Sequence, residues 1–286
     1  MGRHVLALMV ALHAVCAAAA PLGPDGTPGR YLPGKFIWFD LATEDPAGAR
    51  AFYGAVFGWK FRDAGGGPEG YALIENGVHG KVGGIFRHMR PAGAKVGARW
   101  LSVIAVRDPA RAASLARERG GSVLLAPKSV PGRGTHAVLR DPEGAAFGVL
   151  AAEGGDPPDT PVADGEVFWL DLFAREPARA AAFYAELAGF DVDVGEVGGR
   201  ERTLLSTGGI ARAGITPLRS ADDRAGWLPY ILVEDVPATL ARARRAGGRV
   251  LLEPRAHVLG GNLAIIADPS GGAVGVVNWD DGKGTR

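Results

Sequence analysis

From Phe36 to Leu41 apolar side chains run almost without a break, with Asp40 alone among them, as expected of a strand buried on at least one face. Asp45 then reads as a helix cap, Pro46 as the first helical residue and Gly58 as the stop. Between them Phe52, Val56 and the neighbouring Tyr53 and Phe57 supply a stripe for burial at helical spacing. After each helix come short apolar runs broken by glycine, such as Val123 to Leu125, His136 to Leu139 and Phe147 to Leu150, which suit antiparallel strands joined by turns. The order strand, helix, about three strands begins four times, near Gly34, Val96, Gly165 and Gly226.

These four modules are one pair used twice. Phe36 to Trp59 returns as Val167 to Phe190, Trp100 to Pro109 as Trp227 to Val236, and Asp141 to Leu150 as Asp268 to Val277. Asp108-Pro109 and Asp235 repeat the helix cap, while Glu176-Pro177 keeps the proline and loses the better capping residue. The stretch Glu153 to Gly165 is the one mid-chain segment of linker composition, and Pro21 to Gly34 reads as a flexible leader. The predicted organisation is a signal peptide over 1–20, a leader over 21–33, a first domain over 34–152, a linker over 153–164 and a second domain over 165–281.

Composition narrows the function classes. Thirty-two Lys and Arg against thirty-one Asp and Glu give no field to gather polyanions, and no basic patch is interleaved with aromatics, so nucleic acid is dropped as a partner. Met1 to Ala20 has a short basic start, an apolar run from Val5 to Val15 and small residues at Ala17 to Ala20, the build of a secretory signal. Export is expected, with cleavage after Ala19. The alternatives are a misassigned start or a disordered leader and, for anchoring, a lipid on Cys16, which ranks second because His13-Ala14-Val15 is a poor lipoprotein motif. The apolar run is too short to span a bilayer. Cys16 is the only cysteine, so the mature chain has neither disulfide nor thiol nucleophile.

The ordered set of motifs resembles the vicinal oxygen chelate superfamily, which includes glyoxalases, bleomycin-resistance proteins and extradiol dioxygenases. The residues that carry the resemblance are Asp45-Pro46, Phe52-Tyr53 and Gly58-Trp59 with their copies Phe183-Tyr184 and Gly189-Phe190. With them go the Gly120-Gly121 and Gly247-Gly248 helix ends and the Asp-Pro-x-Gly turns at Asp141 and Asp268, so that the likeness covers roughly Gly34 to Asp280. It implies an α+β fold in which four βαβββ modules pair into two domains with curved mixed sheets and helices on the outer face. It also implies places for metal ligands on the first and last strands, lining a cup. Counting from the caps and turns, those places hold Trp38, Leu101, Trp169 and Leu228, and then Gly84, Gly148, Gly214 and Gly275. Divalent metals in such sites need imidazole nitrogen or carboxylate oxygen, and none of these residues supplies either. No metal and no cofactor are expected.

What stands there instead has two readings. Alternation along the first strand puts Trp38, Asp40 and Ala42 on the cup side and Ile37, Phe39 and Leu41 beneath the helix. The indole then either fills the vacated space or forms one wall of an apolar pocket. Asp40 and Asp171, each two residues after its tryptophan, are the candidate catalytic groups: a carboxylate in an apolar cup orients a ligand, moves a proton, or accepts hydrogen bonds that pin the sheet. Tyr230 is placed to donate to a ligand in the second half, where its counterpart Val103 is not. Arg133 and Lys81 lie on the approaches to the first cup; both are read as solvated surface rather than as an anion site.

The favoured function is an exported tandem protein that binds a small apolar or aromatic molecule without metal chemistry. One alternative is a lyase, isomerase or dioxygenase-type enzyme using Asp40 or Asp171, or a non-standard metal site built from His79 or His136 with Glu75. Another is an interaction module whose cups are plugged by Trp38 and Trp169. Paired modules in one chain favour a monomer over a homodimer.

Overall fold

The structure is a computed structural model and describes residues 30–65, 70–76, 80–88, 97–197, 200–220 and 223–279. The expected signal segment, most of the leader and His79 lie outside the described residues, as does the side chain of Lys81.

Each of the four modules has the expected order. The first comprises β1 (Phe36–Thr43), α1 (Pro46–Phe57), β2 (Lys60–Asp63), β3 (Ala72–Asn76) and β4 (Gly80–Arg87). The second comprises β5 (Arg99–Ala105), α2 (Pro109–Glu118), β6 (Ser122–Val130), β7 (Gly134–Arg140) and β8 (Ala146–Ala152). The third has β9 (Val167–Ala174), α3 (Pro177–Ala188), β10 (Asp191–Val197), β11 (Arg200–Thr207) and β12 (Ile210–Pro217). The fourth has β13 (Gly226–Leu232), α4 (Val236–Arg245), β14 (Arg249–Leu252), β15 (Leu263–Ala267) and β16 (Ala273–Val277). The carboxylates of Asp45, Asp108 and Asp235 accept backbone N–H groups of the first helical turn, whereas Glu176 makes no side-chain cap.

Two modules share each curved, mixed sheet of eight strands. The first runs β2-β3-β4-β1-β5-β8-β7-β6 and the second β10-β11-β12-β9-β13-β16-β15-β14. At the centre of the first, β1 lies parallel to β4 and antiparallel to β5, and β5 lies parallel to β8. The side chains of each sheet therefore divide between a helix-bearing face and a concave face.

The helix-bearing faces of the two halves bury each other. One continuous core contains Phe39, Leu41, Phe52 and Val56 from the first half and Leu172, Phe183, Leu187 and Val276 from the second. Phe36 packs edge-on against Trp227 at 5.0 Å, and Phe147 meets Tyr184 at 5.2 Å. The residues that carried the repeat also close this junction. Tyr53 on α1 donates to the Asp268 carboxylate at 3.1 Å and accepts from Trp100 Nε1 at 3.0 Å. In the mirror arrangement Tyr184 on α3 donates to Asp141 at 3.1 Å and accepts from Trp227 Nε1 at 2.9 Å. Each aspartate also holds its own turn through Oδ1, Asp141 by the N–H groups of Glu143 and Ala145 and Asp268 by that of Gly272. The linker is fastened as well: Asp156 accepts from Leu32 N, and Lys35 donates to the carbonyls of Pro157 and Pro158.

One expectation for β1 fails at its start. The pairing with β5 shifts register between Phe36 and Trp38, so Ile37 joins the concave-side cluster with Trp38 instead of packing beneath the helix. Phe39 and Leu41, beyond the irregularity, do lie in the core under the helices.

Candidate functional site

In the first half β1 carries Trp38 and Asp40 on the concave face. Asp40 lies beside Gly84 on β4 and opposite Leu101 on β5, Trp38 lies opposite Val103, and Val103 lies beside Gly148 on β8. The second half repeats this register: Asp171 with Gly214 and Leu228, Trp169 with Tyr230, and Tyr230 with Gly275. The eight positions picked out by the resemblance thus lie close together in register, four in each cup.

The glycines are there because neighbours occupy the space of a side chain. A Cβ at Gly84 would overlap the Tyr71 hydroxyl and the Asp40 carboxylate, one at Gly148 would meet Val103, and one at Gly275 would enter the Tyr230 ring. At Gly214 the Asp171 carboxylate and the Trp169 indole both approach the place of a Cβ.

Trp38 is only 2% exposed and is absent from the walls of the cavity described below. Its Nε1 donates to Asp40 Oδ1 and to the Tyr71 hydroxyl, both at 2.9 Å, and Tyr71 donates to the same Oδ1 at 2.7 Å. Burial, and then the Asp40 charge, push the Tyr71 hydroxyl well above its ordinary range, so it stays a proton donor.

The other carboxylate oxygen is taken by an arginine. Arg133, expected on solvated surface, is 2% exposed; its Nη2 lies 3.4 Å from Asp40 Oδ2, and its guanidinium carbon sits 5.4 Å from the Trp38 ring centroid. It occupies the tip of the β6–β7 hairpin between Gly132 and Gly134, both with positive φ, and a Cβ at Gly134 would overlap the Ala151 carbonyl. That tight turn delivers the long side chain to the concave face, where Asp40 meets the rule that a buried cation needs a partner. Burial alone would lower the Arg133 pKa; Tyr71 and Asp40 outweigh it and raise it.

Beside this cluster lies a small, partly open cavity with a free interior of about 20 Å³, room for about one water, with apolar walls from Phe86, Leu101, Val103 and Val138 and polar atoms from Asp40, Arg133 and His136. Burial, and then the Arg133 charge, hold His136 down to about 4, so it is neutral at pH 7.

The second cup assembles the same four residue types by another route. Trp169 Nε1 donates to Asp171 at 3.2 Å, and Arg202 Nη1 reaches Asp171 Oδ2 at 3.1 Å and Thr216 Oγ1 at 2.5 Å. Tyr230 is buried against Asp171, and burial, then that charge, raise its hydroxyl well above the usual range. Leu73 pairs with Gly84 and Leu204 with Gly214, so Tyr71 and Arg202, each two residues earlier, are equivalent. Tyrosine and arginine have therefore changed sides: the first cup takes Tyr from its first module and Arg from its second, and the second cup does the reverse. The Arg202 side chain is 27% exposed, so this cluster is wetter than the first. Neither Tyr71 nor Arg202 stands out in the sequence read singly; superposing the two repeats, which puts a polar-tipped residue at one place in both copies, is the signal that finds them.

Among the described residues no group of three or more His, Cys, Asp or Glu gathers in a way that could hold a metal ion. No described helix is long and apolar enough to cross a membrane.

Comparison with known proteins matches the same two halves. A family described as a glyoxalase-like domain matches residues 37–150, and the Glyoxalase/Bleomycin resistance protein/Dioxygenase superfamily matches residues 166–276. The chain is 31% identical over 279 residues to the anthracycline biosynthesis protein DnrV of Streptomyces peucetius, covering 88% of this chain and 96% of that protein. It is 28% identical over 256 residues to CFP32 of Mycobacterium tuberculosis, which carries a provisional glyoxylase name, covering 86% and 95%. Among solved structures it is similar to the Mn(II)-bound glyoxalase from Novosphingobium aromaticivorans, with TM-score 0.56 and 17% identity over 87% of this chain and 83% of that one. It is similar too to 2,2',3-trihydroxybiphenyl 1,2-dioxygenase from Sphingomonas wittichii, with TM-score 0.55 and 13% identity over 86% and 91%. At those identities the likeness speaks for the fold alone. Two matched domains in one polypeptide, full-length relatives and a common architecture agree: the chain belongs to the vicinal oxygen chelate superfamily, as a tandem member.

Proposed function

We propose that this protein holds a small, largely apolar or aromatic molecule in its first cup, without a divalent metal and without transforming it. The observation that carries the reading is the place of Arg133. Among the described residues the first cup has one carboxylate, Asp40, and a guanidinium already lies against it, so a second cation there would meet repulsion and find no further anionic donor among them. Trp38, Leu101, Gly84 and Gly148 add no donor either, and this donor set does not fit a divalent ion.

The proton-shuttle alternative gains less support. Both oxygens of Asp40 are engaged, by Trp38, Tyr71 and Arg133, so the group works as a hub that fixes its neighbours. The free space beside Asp40 is small and its walls are mostly apolar, so a flat organic molecule would enter it by displacing those side chains outward. Two relatives are named as anthracycline biosynthesis proteins, which is in keeping with an aromatic ligand.

The test is thermal shift of the full chain against a panel of planar aromatic compounds. A bound compound at a hundred times its Kd adds about 2.7 kcal/mol of stability. Leu101→Trp should abolish the shift by filling the cup, while Leu228→Trp in the other half should leave it. A panel in which no compound stabilises the protein would remove the binding reading in favour of a plugged module.

Two further expectations belong to this proposal. Met1 to Ala20 directs export, and mass spectrometry of the secreted protein should find a chain beginning at Ala20; an intact Met1 or a lipid on Cys16 would contradict it. The protein acts as a monomer, because its two helix-bearing faces already cover each other; light scattering at twice the chain mass would contradict that.

A further inference from the structure

The walls of the first cup explain an apolar ligand, and its polar atoms say more. We infer that the ligand carries a neutral oxygen acceptor, a ketone, quinone or comparable carbonyl on a planar apolar body, and that this oxygen is received by Arg133. The inference rests on the binding reading above and names the chemical class it left open.

Three observations point this way. First, Arg133 borders the cavity while being 2% exposed, and its Nε and Nη1 have no hydrogen-bond partner among the described residues. Buried guanidinium N–H groups demand acceptors, and only one of the nitrogens reaches Asp40. Second, the charge is already balanced. Asp40 offsets Arg133, and Tyr71 stays protonated beside them, so a carboxylate ligand would leave a buried net negative charge whereas a carbonyl leaves none. Lys128, whose charge is felt at His136, is exposed and solvated, so it does not enter this buried balance. Third, the second cup lacks the arrangement. Val138 pairs with Gly148 and Ile265 with Gly275; the same count back along the chain puts Gly260 in the place of Arg133 and Leu263 in the place of His136. Arg202, the arginine of that cup, is partly exposed and spends its Nη1 on Asp171 and Thr216. One oxygen-anchored ligand per chain follows.

The experiment titrates the full chain by calorimetry with three probes of one shape: 2-acetylnaphthalene, 2-ethylnaphthalene and 2-naphthoate. The ketone should bind about tenfold or more tighter than the hydrocarbon, the size of one hydrogen bond from a charged donor, with one site per chain, and the acid should bind more weakly than the ketone. Arg133→Met should bring ketone and hydrocarbon together. The comparison on the unaltered protein stands even where that variant fails to fold. Equal affinity of ketone and hydrocarbon would overturn the oxygen site and leave the apolar-binding reading standing. Tighter binding of the acid would overturn the neutral class, and two equal sites would overturn the confinement to the first cup. Failure of all three probes to bind would strike the binding reading itself.

Discussion

Replacing Tyr184 by Phe removes one oxygen and cuts two buried hydrogen bonds, one of which joins the halves. The hydroxyl accepts from Trp227 Nε1 at 2.9 Å and donates to Asp141 at 3.1 Å across the junction. Asp141 keeps the backbone N–H groups of Glu143 and Ala145, so its turn survives; the indole N–H is left buried with no acceptor. An orphaned buried donor costs about 1 to 3 kcal/mol, and loss of the bond to the carboxylate adds to it, so we expect a destabilisation of about 2 to 4 kcal/mol. Tyr53→Phe, which cuts the equivalent pair between Trp100 and Asp268, should cost a similar amount. Urea unfolding followed by tryptophan fluorescence is the assay, with Tyr31→Phe, at an exposed position, as the control. Because one core spans both halves, each variant should shift the midpoint of a single transition without changing its slope. A cost below about 0.5 kcal/mol, within the range of ordinary surface substitutions, or a split into two transitions of which only one moves, would refute the idea that these tyrosines lock the halves together.

Two other variants probe the first cup. Asp40→Asn strips Arg133 of its counter-charge and should cost about 3 to 5 kcal/mol, seen as a drop in Tm, while the double variant Asp40→Asn/Arg133→Met should recover much of it; a neutral Asp40→Asn would mean the pair is not buried as described. His136 supplies a pH dependence. Its folded pKa of about 4 lies below the ordinary 6.5, so below pH 6.5 the unfolded chain takes up a proton that the native state refuses. Its contribution is therefore full above pH 6.5 and is lost as pH falls toward 4, by about 3 kcal/mol in all. Unfolding free energies measured from pH 7 to 4 should show that decline, and His136→Gln should flatten it; an unchanged slope in the variant would place the titration elsewhere.

The architecture was legible because its signals are local and repeated: Asp-Pro at a helix start, glycine at its end, Asp-Pro-x-Gly before the last strand. The concave position of Trp38, Asp40 and Leu101 follows from alternation once β1 is placed, and fails only at Ile37, where pairing slips. The chemistry of the cup was less accessible because it is made by partners distant in the chain. Arg133 reads as surface until the sheet brings it to Asp40, and Tyr71 acquires meaning only through the register that sets it over Gly84. Tyr53 and Tyr184 presented a stripe for burial, which is correct for their rings; their hydroxyl partners belong to the opposite half, and nothing in the helix itself announces them.

The central proposal is that the first cup, whose carboxylate Asp40 is already paired with the Arg133 guanidinium, holds no divalent metal. The most direct measurement is element analysis of the full chain, expressed with manganese, iron, nickel and zinc in the medium and purified without chelator. The account predicts only a small fraction of one atom of any of these per chain, unchanged in Asp40→Asn. Close to one atom per chain that survives gel filtration and disappears in Asp40→Asn would contradict it.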